Sequence, residues 1–194
     1  EIDFAISCTI NEGWLSSTRQ DFEGFFEYDK NGCFIAEVDG EKVGICMAVA
    51  YDLSGFIGML IVLPEWRGRG IRQCLIKRAI NYLNNRGVSD IFLDGVVPAI
   101  PLYERMGFKK VCRSLRFSGI ITGGNYPNII QLQPQHLDKI CALDRMAFGA
   151  DRHFFLRHRF SKFPQLCKAM VLEGKIVGYI MGKFGFGVVS VGPW

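Results

Sequence analysis

The 194-residue sequence has little that could bind a metal ion or form a disulfide framework. It contains three histidines, and none of its seven cysteines belongs to a Cys-x-x-Cys pair. Such pairs, or an even number of closely spaced cysteines, mark most zinc sites and disulfide frameworks. Most of the cysteines instead lie in apolar runs, which predicts small buried thiols in a reducing compartment and no zinc site. They are Cys8, Cys33, Cys46, Cys74, Cys112, Cys141 and Cys167.

Long apolar segments are lacking as well. The chain is 49% hydrophobic, but no apolar run reaches the roughly 20 residues that a helix needs to cross a bilayer. No charged-then-apolar leader is visible, so no secretory signal is expected. We therefore expect a cytoplasmic protein with no membrane partner.

Charge of one sign is not concentrated anywhere. The chain has 23 Lys and Arg and 19 Asp and Glu, a net charge of +4. The basic residues are dispersed and form no stripe, which argues against nucleic-acid binding. A mild positive charge suits an anionic cofactor. The length allows one well-buried core and part of a second domain.

What the sequence does contain is a strand, a glycine-rich turn and a helix within residues 56–85. The uncharged apolar run over 56–63 predicts a strand that ends at Pro64, which cannot donate a ladder hydrogen bond. Gly68 and Gly70 allow positive φ and close approach of a ligand. The free amides of residues 67–72 then lie at a helix start, which favours an anion such as a phosphate. The helix is predicted to bury one face, made of Ile71, Cys74, Leu75, Ala79 and Tyr82.

This stretch resembles motif A of the GNAT superfamily, the N-acetyltransferases that use acetyl-CoA. The family pattern is Arg/Gln-x-x-Gly-x-Gly/Ala after a Val-x-Pro strand end, and here it is read from Arg67 to Arg72. Gly70 matches the first glycine slot. Arg72 occupies the last slot, where the family has Gly or Ala, and this is a departure.

A second segment strengthens the resemblance. GNAT proteins carry Ala-x-x-x-Tyr-x-x-x-Gly-Phe after the next strand, and this chain has Ala99, Tyr103 and Gly107-Phe108 at those positions. Where relatives have an asparagine seven residues before the tyrosine, this chain has Val96. The two motifs imply an α/β (α+β) GNAT fold, with a central mixed, mostly antiparallel sheet flanked by helices.

The remaining elements are predicted from local patterns. Residues 1–10 alternate as in a strand, Asn11 is expected to cap a helix that includes Trp14 and Leu15, and a further helix begins at Thr18. Strands over 33–38, 42–51 and 56–63 are predicted to form an antiparallel meander, with a hairpin turn at Asp39-Gly40. The helix to Asn85, a parallel strand over 89–97, a short helix over 98–106 and a strand over 110–117 complete the first part.

The pattern begins again after residue 127. Residues 171–181 mirror residues 38–47, and their Val-Gly pairs lie 134 positions apart, 177 minus 43. This repeat predicts an N-acetyltransferase domain over 1–118, a linker over 119–127 and a partial second GNAT-like domain over 128–194. The second copy stops before its own phosphate-binding turn. It is expected to close over the cleft or to complete a sheet with another chain, as in a homodimer.

The resemblance also implies roles for individual residues. The backbone of Leu60, Ile61 and Val62 would pair with pantetheine like an added strand, and an amide near Val62 would stabilise the tetrahedral oxyanion. The pyrophosphate would be bound by the amides of Arg67, Gly68, Arg69, Gly70, Ile71 and Arg72, with each arginine as a further charge donor. Tyr103 would protonate the departing thiolate of acetyl-CoA.

The general base is less determined. Many relatives place a glutamate on the motif strand, but residues 56–62 contain no carboxylate. Asp94, after the parallel strand, is the best candidate, although an aspartate there could equally cap the following turn. Glu65 and Glu37 are weaker candidates, and solvent could take the proton.

Three functions are compatible with these residues. The first is acetyl transfer from acetyl-CoA to a primary amine, on a small molecule or a peptide. The second is a catalytically silent module that binds acetyl-CoA, which Arg72, Val96 and the missing strand carboxylate favour. The third, nucleic-acid binding with a chance motif, predicts a basic stripe that is not present.

Overall fold

The computed structural model describes residues 1–120 and 122–193. The first half of the chain, residues 1–118, forms a four-stranded sheet in the order β1-β2-β3-β4 with helices on both faces. Its elements are α1 (Ile2–Asn11), α2 (Arg19–Asp29), β1 (Cys33–Val38), β2 (Glu41–Ala50), β3 (Ser54–Val62), α3 (Ile71–Asn85), β4 (Asp90–Leu93) and α4 (Ile100–Arg105).

The predicted meander is confirmed. β1, β2 and β3 pair in antiparallel fashion, and the turn between β1 and β2 has positive φ at Asp39 and Gly40. β4 pairs parallel with β3 after the α3 crossover, as a strand–helix–strand unit requires. The sheet is therefore mixed and mostly antiparallel, as predicted.

Each face of this sheet has its own apolar core. On one face α3 packs on Cys46, Ile57 and Val62, and Tyr103 of α4 joins the same cluster. On the other face α1 and α2 pack on Ile45, Met47 and Ile61. A ligand bound along β3 would therefore have α3 and α4 on one side of the sheet and α1 and α2 on the other.

The prediction of a strand over residues 1–10 is wrong, because these residues form α1. Ala5, Cys8 and Thr9 are buried at helical spacing and pack toward the sheet. An apolar pattern this short fits a period of two or of 3.6, and the packing surface decides between them. The helix expected around Trp14 and Leu15 is also absent, since α1 ends at Asn11, Leu15 lies in a turn and Trp14 belongs to no regular element.

The strand predicted over residues 110–117 is not formed. In the described part of the chain these residues pair with no strand, and Val111, Leu115 and Phe117 are exposed. Alternation can specify a strand only where a neighbouring edge supplies hydrogen bonds and a surface to cover. Part of the expected linker over 119–127 lies outside the described residues, since residue 121 is not described.

The second half, residues 128–193, has a sheet of its own in the order β5-β6-β7-β8. The antiparallel strands are joined and covered by two helices. Its elements are β5 (Ile129–Gln131), α5 (Leu137–Phe148), α6 (His153–Lys162), β6 (Cys167–Leu172), β7 (Lys175–Phe184) and β8 (Val189–Val191).

The hairpins of the two halves match residue for residue at the spacing found in the sequence. Cys33 pairs with Met47 in the first half, and Cys167 pairs with Met181 in the second. The register irregularity between Ala36 and Glu37 recurs between Met170 and Val171. The turn residues Asp39-Gly40 and Glu173-Gly174 all have positive φ. Residue 194, the last of the predicted second domain, is outside the described residues.

All seven cysteines lie in the described residues and are free thiols. Cys8, Cys46 and Cys167 are buried as predicted, but Cys74 and Cys112 are exposed. Cys74 was expected on the buried face of α3, which consists instead of Leu75, Ile76, Ala79 and Leu83. None of the helices in residues 1–120 and 122–193 combines the length and apolar character needed to cross a bilayer.

Candidate functional site

The candidate site begins where β3 and β4 separate. The two strands pair from Ser54↔Asp90 to Ile57↔Leu93, and β3 then continues to Val62 alone on that side. Within the described residues, no strand pairs with residues 58–62 on the β4 side. A sheet edge of this kind presents unpaired N–H and C=O groups that can accept an extended ligand. Leu60, Ile61 and Val62, named from the sequence, lie on this edge.

A bulge in β3 lies at the start of the open edge. Ile45 pairs with Ile61 but Met47 pairs with Gly58, so β3 has one residue more than β2 between these pairs. Met59 has a φ of 49°, an unusual value for a residue with a side chain. A bulge twists a strand and redirects its backbone groups, and bulges are common next to binding sites.

Beyond β3 the chain presents a run of unpaired amides. The N–H of Arg67 donates to the carbonyl of Pro64 at 3.2 Å, and the next N–H with a backbone acceptor is that of Cys74, which bonds to Gly70 at 3.1 Å. Among the described residues, nothing accepts from the amides of residues 68–73. These amides surround the N-terminus of the 15-residue α3, where the helix dipole favours negative charge.

Two glycines give this turn its shape. Gly68 and Gly70 both have a φ of 79°, a conformation that costs a residue with a Cβ about 1 kcal/mol or more. A Cβ built on either glycine would meet no atom within 4 Å, so the space in front of the turn is open. The turn is therefore not folded shut, and an anion can reach its amides.

The three arginines of the turn have different surroundings. The guanidinium of Arg69 lies 4.6 Å from the ring centre of Trp66 and stays exposed. Arg72 is half-buried and close enough to Tyr103 to lower the pKa of that phenol. Arg72 therefore connects the last motif position, where this chain departs from the family pattern, with the predicted acid.

Arg67 is engaged within the protein. Its amide is already bonded to Pro64, its Nε donates to the carbonyl of Val62 at 2.9 Å, and its guanidinium pairs with Glu12. The expectation that its amide is free for a pyrophosphate is thus wrong. The unpaired run covers residues 68–73, one position further along than the predicted 67–72. The guanidinium of Arg67 instead fastens the end of β3, including the carbonyl of Val62.

Tyr103 lies beside the gap between the strands. Its ring packs so closely on Gly95 that a Cβ there would come within 2.7 Å of the ring, and it meets Phe108 edge-on with centroids 6.2 Å apart. Its hydroxyl has no hydrogen-bond partner within residues 1–120 and 122–193. Burial raises the pKa of Tyr103 above 10, while the charge of Arg72 lowers it in part. The phenol is therefore protonated at neutral pH and can act as a proton donor.

Within the described residues, no carboxylate forms a hydrogen bond with Tyr103. Asp94 directly follows β4 and is exposed, with no ion pair or hydrogen bond in the described part of the chain. Glu65 and Glu37 are exposed as well. A base in this position would have to reach the amine through a bridging water.

Two further residues near the site were not found from the sequence. Glu12 pairs with Arg67, and the hydroxyl of Ser17 lies 3.9 Å from the sulfur of Met59 in the bulge. Both belong to the 12–18 loop between α1 and α2. No local signal marked them, because their relation to the site arises only when α1 packs on the sheet.

The family model for acetyltransferase (GNAT) proteins matches residues 3–108, more than half of the chain. The chain belongs to this family. The match contains the β3 edge, the unpaired amides and Tyr103, so the GNAT resemblance of the two motifs is confirmed.

Curated relatives of this GNAT chain are N-acetyltransferases. An uncharacterized N-acetyltransferase of Archaeoglobus fulgidus is 34% identical over 98 residues, covering 42% of this chain and 65% of that protein. The N-alpha-acetyltransferase MAK3 of Arabidopsis thaliana is 35% identical over 88 residues, covering 42% of this chain and 46% of that protein. The chain thus matches less than two thirds of the length of either relative.

A solved structure resembles nearly the whole GNAT chain. A putative acetyltransferase from Pyrococcus horikoshii has a TM-score of 0.66 and 22% identity, and the match covers 93% of this chain and 67% of that one. At this identity the likeness concerns the fold. The match extends over both halves of the chain, so the likeness in fold is not confined to the sheet that carries the candidate site.

Proposed function

We propose that this protein is an N-acetyltransferase that moves an acetyl group from acetyl-CoA to a primary amine. The observation that carries the proposal is the run of unpaired amides over residues 68–73, which faces open space at the start of α3. Such amides bind a diphosphate, and the free edge of residues 58–62 beside them suits an extended pantetheine arm. The family membership agrees with both.

The proposed reaction is direct attack. The neutral amine forms a C–N bond with the thioester carbonyl, the C–S bond breaks, and the amine proton passes to solvent. Tyr103 donates its phenolic proton to the departing sulfur and regains one from water. Its pKa above 10 keeps that proton available at neutral pH. Asp94 remains a hypothesis for the base, through a bridging water.

The acceptor is best sought first among α-amines of peptides. The Arabidopsis relative carries the name N-alpha-acetyltransferase and is 35% identical over the matched residues. This likeness is the reason to test peptide α-amines before other amines. Small amines, polyamines and aminosugars form the rest of the panel. In the same proposal the protein is cytoplasmic, and the second half is a partial GNAT-like copy, which the matching hairpins of the two halves support.

Titration calorimetry with acetyl-CoA tests the proposal. Gly70→Ala changes the turn at the start of α3, and Gly87→Ala makes the same change beyond its end. Both glycines have similar φ values, 79° and 76°, and neither would bring a Cβ within 4 Å of another atom. The two variants should therefore lose similar stability. We expect only Gly70→Ala to weaken acetyl-CoA binding, by about tenfold or 1.4 kcal/mol. Equal affinities in both variants would contradict the proposed site.

A silent acetyl-CoA-binding module is the second candidate. It is favoured by the exposure of Asp94 and by Val96 at the asparagine position, because a valine side chain cannot form a hydrogen bond. Release of free thiol from acetyl-CoA across the amine panel separates the two. Transfer to any amine supports the enzyme, and tight binding without transfer supports the module.

A further inference from the structure

The sheet separates two approaches to the gap between β3 and β4. The α3 face carries the unpaired amides and Tyr103. The opposite face carries α1, α2 and the 12–18 loop between them. If acetyl-CoA occupies the first face, as the proposed function requires, an amine that attacks its thioester through the gap comes from the second.

The 12–18 loop runs along this second face beside the open edge of β3. At its start Glu12 pairs with Arg67, the first residue of the turn that precedes α3. At its end Ser17, which is buried, places its hydroxyl 3.9 Å from the sulfur of Met59 in the bulge. The start of the loop is thus attached to the turn that precedes α3, and its end is attached to the strand that borders the gap.

The middle of the loop is held by the second half. In the turn between β7 and β8, the N–H of Phe186 donates to the carbonyl of Leu15 at 2.8 Å. Gly185 lies so close that a Cβ there would overlap the Leu15 carbonyl oxygen and come within 2.9 Å of the Cα of Ser16. Only a residue without a side chain allows this approach.

A buried ion cluster fixes the same junction. Asp21, in the first turn of α2, forms a capping box with Thr18, the residue that ends the loop. Its carboxylate also pairs with Lys183 of β7 at 2.6 Å and with Arg159 of α6 at 3.6 Å. Lys183 is 8% exposed, so its charge depends on Asp21 for compensation. The end of the loop is therefore tied to the second half as well.

We propose that the second half sets the position of the 12–18 loop as the acceptor-side wall of the site, with Gly185 and Phe186 as positioning residues. The second half then contributes to amine selection without touching acetyl-CoA. This inference rests on the proposed function.

Gly185→Ala in the full chain is the test, and Gly178→Ala is the matched control. Gly178 lies on β7 as well, but a Cβ there meets only the Cβ of Met170, at 4.0 Å. We expect Gly185→Ala to speed hydrogen exchange in residues 13–18 and to raise KM for the best peptide amine of the panel about tenfold or more. The acetyl-CoA Kd should stay within about twofold. Gly178→Ala should change neither the exchange nor KM.

The contrary results are distinct. An unchanged KM in Gly185→Ala overturns the inference, whether or not the loop exchanges faster. A rise in both KM and the acetyl-CoA Kd also overturns it, because the substitution then disturbs the whole site and not only the acceptor side. No transfer by the unmodified protein to any amine is a failure of the proposed function and removes both. Should Gly185→Ala not fold, Lys183→Met replaces it. This change leaves Asp21 paired with Arg159, and the same readouts apply.

Discussion

At the scale of single residues, Tyr103 is the most informative side chain. It is half-buried against Gly95, its hydroxyl is free within the described residues, and it feels the charge of Arg72. Arg72 replaces the small residue of the family motif. The departure brings a positive charge close to the proposed acid, and this partly offsets the effect of burial on the phenol pKa. From the sequence alone, Arg72 would be interpreted only as a departure from the motif that weakens phosphate binding.

Replacing Tyr103 with Phe removes the hydroxyl and leaves the ring packing. If the phenol protonates the leaving sulfur, we expect kcat to fall by about 10²-fold, a usual size for a lost general acid. The acetyl-CoA Kd should stay within about twofold. Since burial raises the pKa of Tyr103, any alkaline loss of kcat caused by this group should have its midpoint at a higher pH than an ordinary phenol would give.

Tyr82→Phe serves as the control for this change. Tyr82 is also partly buried, but its hydroxyl donates to Asp29 at 2.6 Å, away from the gap. Its replacement should leave kcat unaltered. Normal turnover in Tyr103→Phe would exclude the phenol from the proton transfer.

At the scale of elements, the two matching hairpins show which positions of the sheet must be small because α3 packs on them. Gly44 of β2 and Gly178 of β7 are equivalent positions in the two hairpins. A Cβ on Gly44 would come within 2.7 Å of the Ile61 carbonyl and 3.4 Å of Leu75 on α3, while Gly178 has only Met170 nearby, at 4.0 Å. Close packing therefore requires a glycine at position 44 but not at the equivalent position 178.

We expect Gly44→Ala to lower the free energy of unfolding by about 2 kcal/mol, within the usual range for overpacking. Gly178→Ala should change it by less than about 0.5 kcal/mol. Urea unfolding at neutral pH measures both values. Equal losses in the two variants would show that backbone conformation, and not contact with β3 and α3, makes Gly44 necessary.

At the scale of the whole molecule, several contacts between the two halves involve residues that lie 134 positions apart in the sequence or that are equivalent at this spacing. α2 and α6 occupy equivalent places and contact each other, with Gly24 against the ring of its own equivalent, His158. The contact of Phe25 with Phe155 has its counterpart in the pair of Asp21 with Arg159. Two equivalent pairs of positions therefore contact each other between the halves. One pair consists of aromatic rings, and the other is an ion pair. The homodimer expected from the sequence stays a prediction.

The core thiols make stability depend on pH. Burial raises the pKa of Cys8 and Cys33 from 9.0 to about 11 and that of Cys46 to about 12. Between pH 9 and these values the native state retains protons that the unfolded chain loses, so the free energy of unfolding falls as pH rises. Burial lowers the pKa of Lys183, and this group acts in the opposite direction over its own range.

A comparison with Cys46→Ala isolates the thiol effect, since Lys183 is the same in both proteins. Urea midpoints are measured at about pH 8 and about pH 10.5. We expect a smaller fall between the two values in Cys46→Ala than in the unmodified chain. Identical falls would mean that the Cys46 thiol stays protonated in neither state or in both.

The sequence by itself determined the features that depend on a few neighbouring residues. The hairpin turn at Asp39-Gly40, the strand end at Pro64 and the helix start at Gly70 follow from backbone preferences that act locally. The 134-residue spacing between the two hairpins could also be recognised from the sequence, because turns with the same backbone conformation favour the same residue types. These local rules predicted the short helix that carries Tyr103 and the glycine turn in which the unpaired amides lie.

Only the tertiary structure decided which surface each element covers. It made residues 2–11 a helix, left residues 110–117 without a strand partner, exposed Cys74 and committed Arg67 to Glu12 and Val62. The approach of Gly185 to the 12–18 loop likewise joins segments far apart in the chain. Burial and pairing depend on what lies across the contact, and that partner is set by packing over long sequence distances rather than by the local pattern.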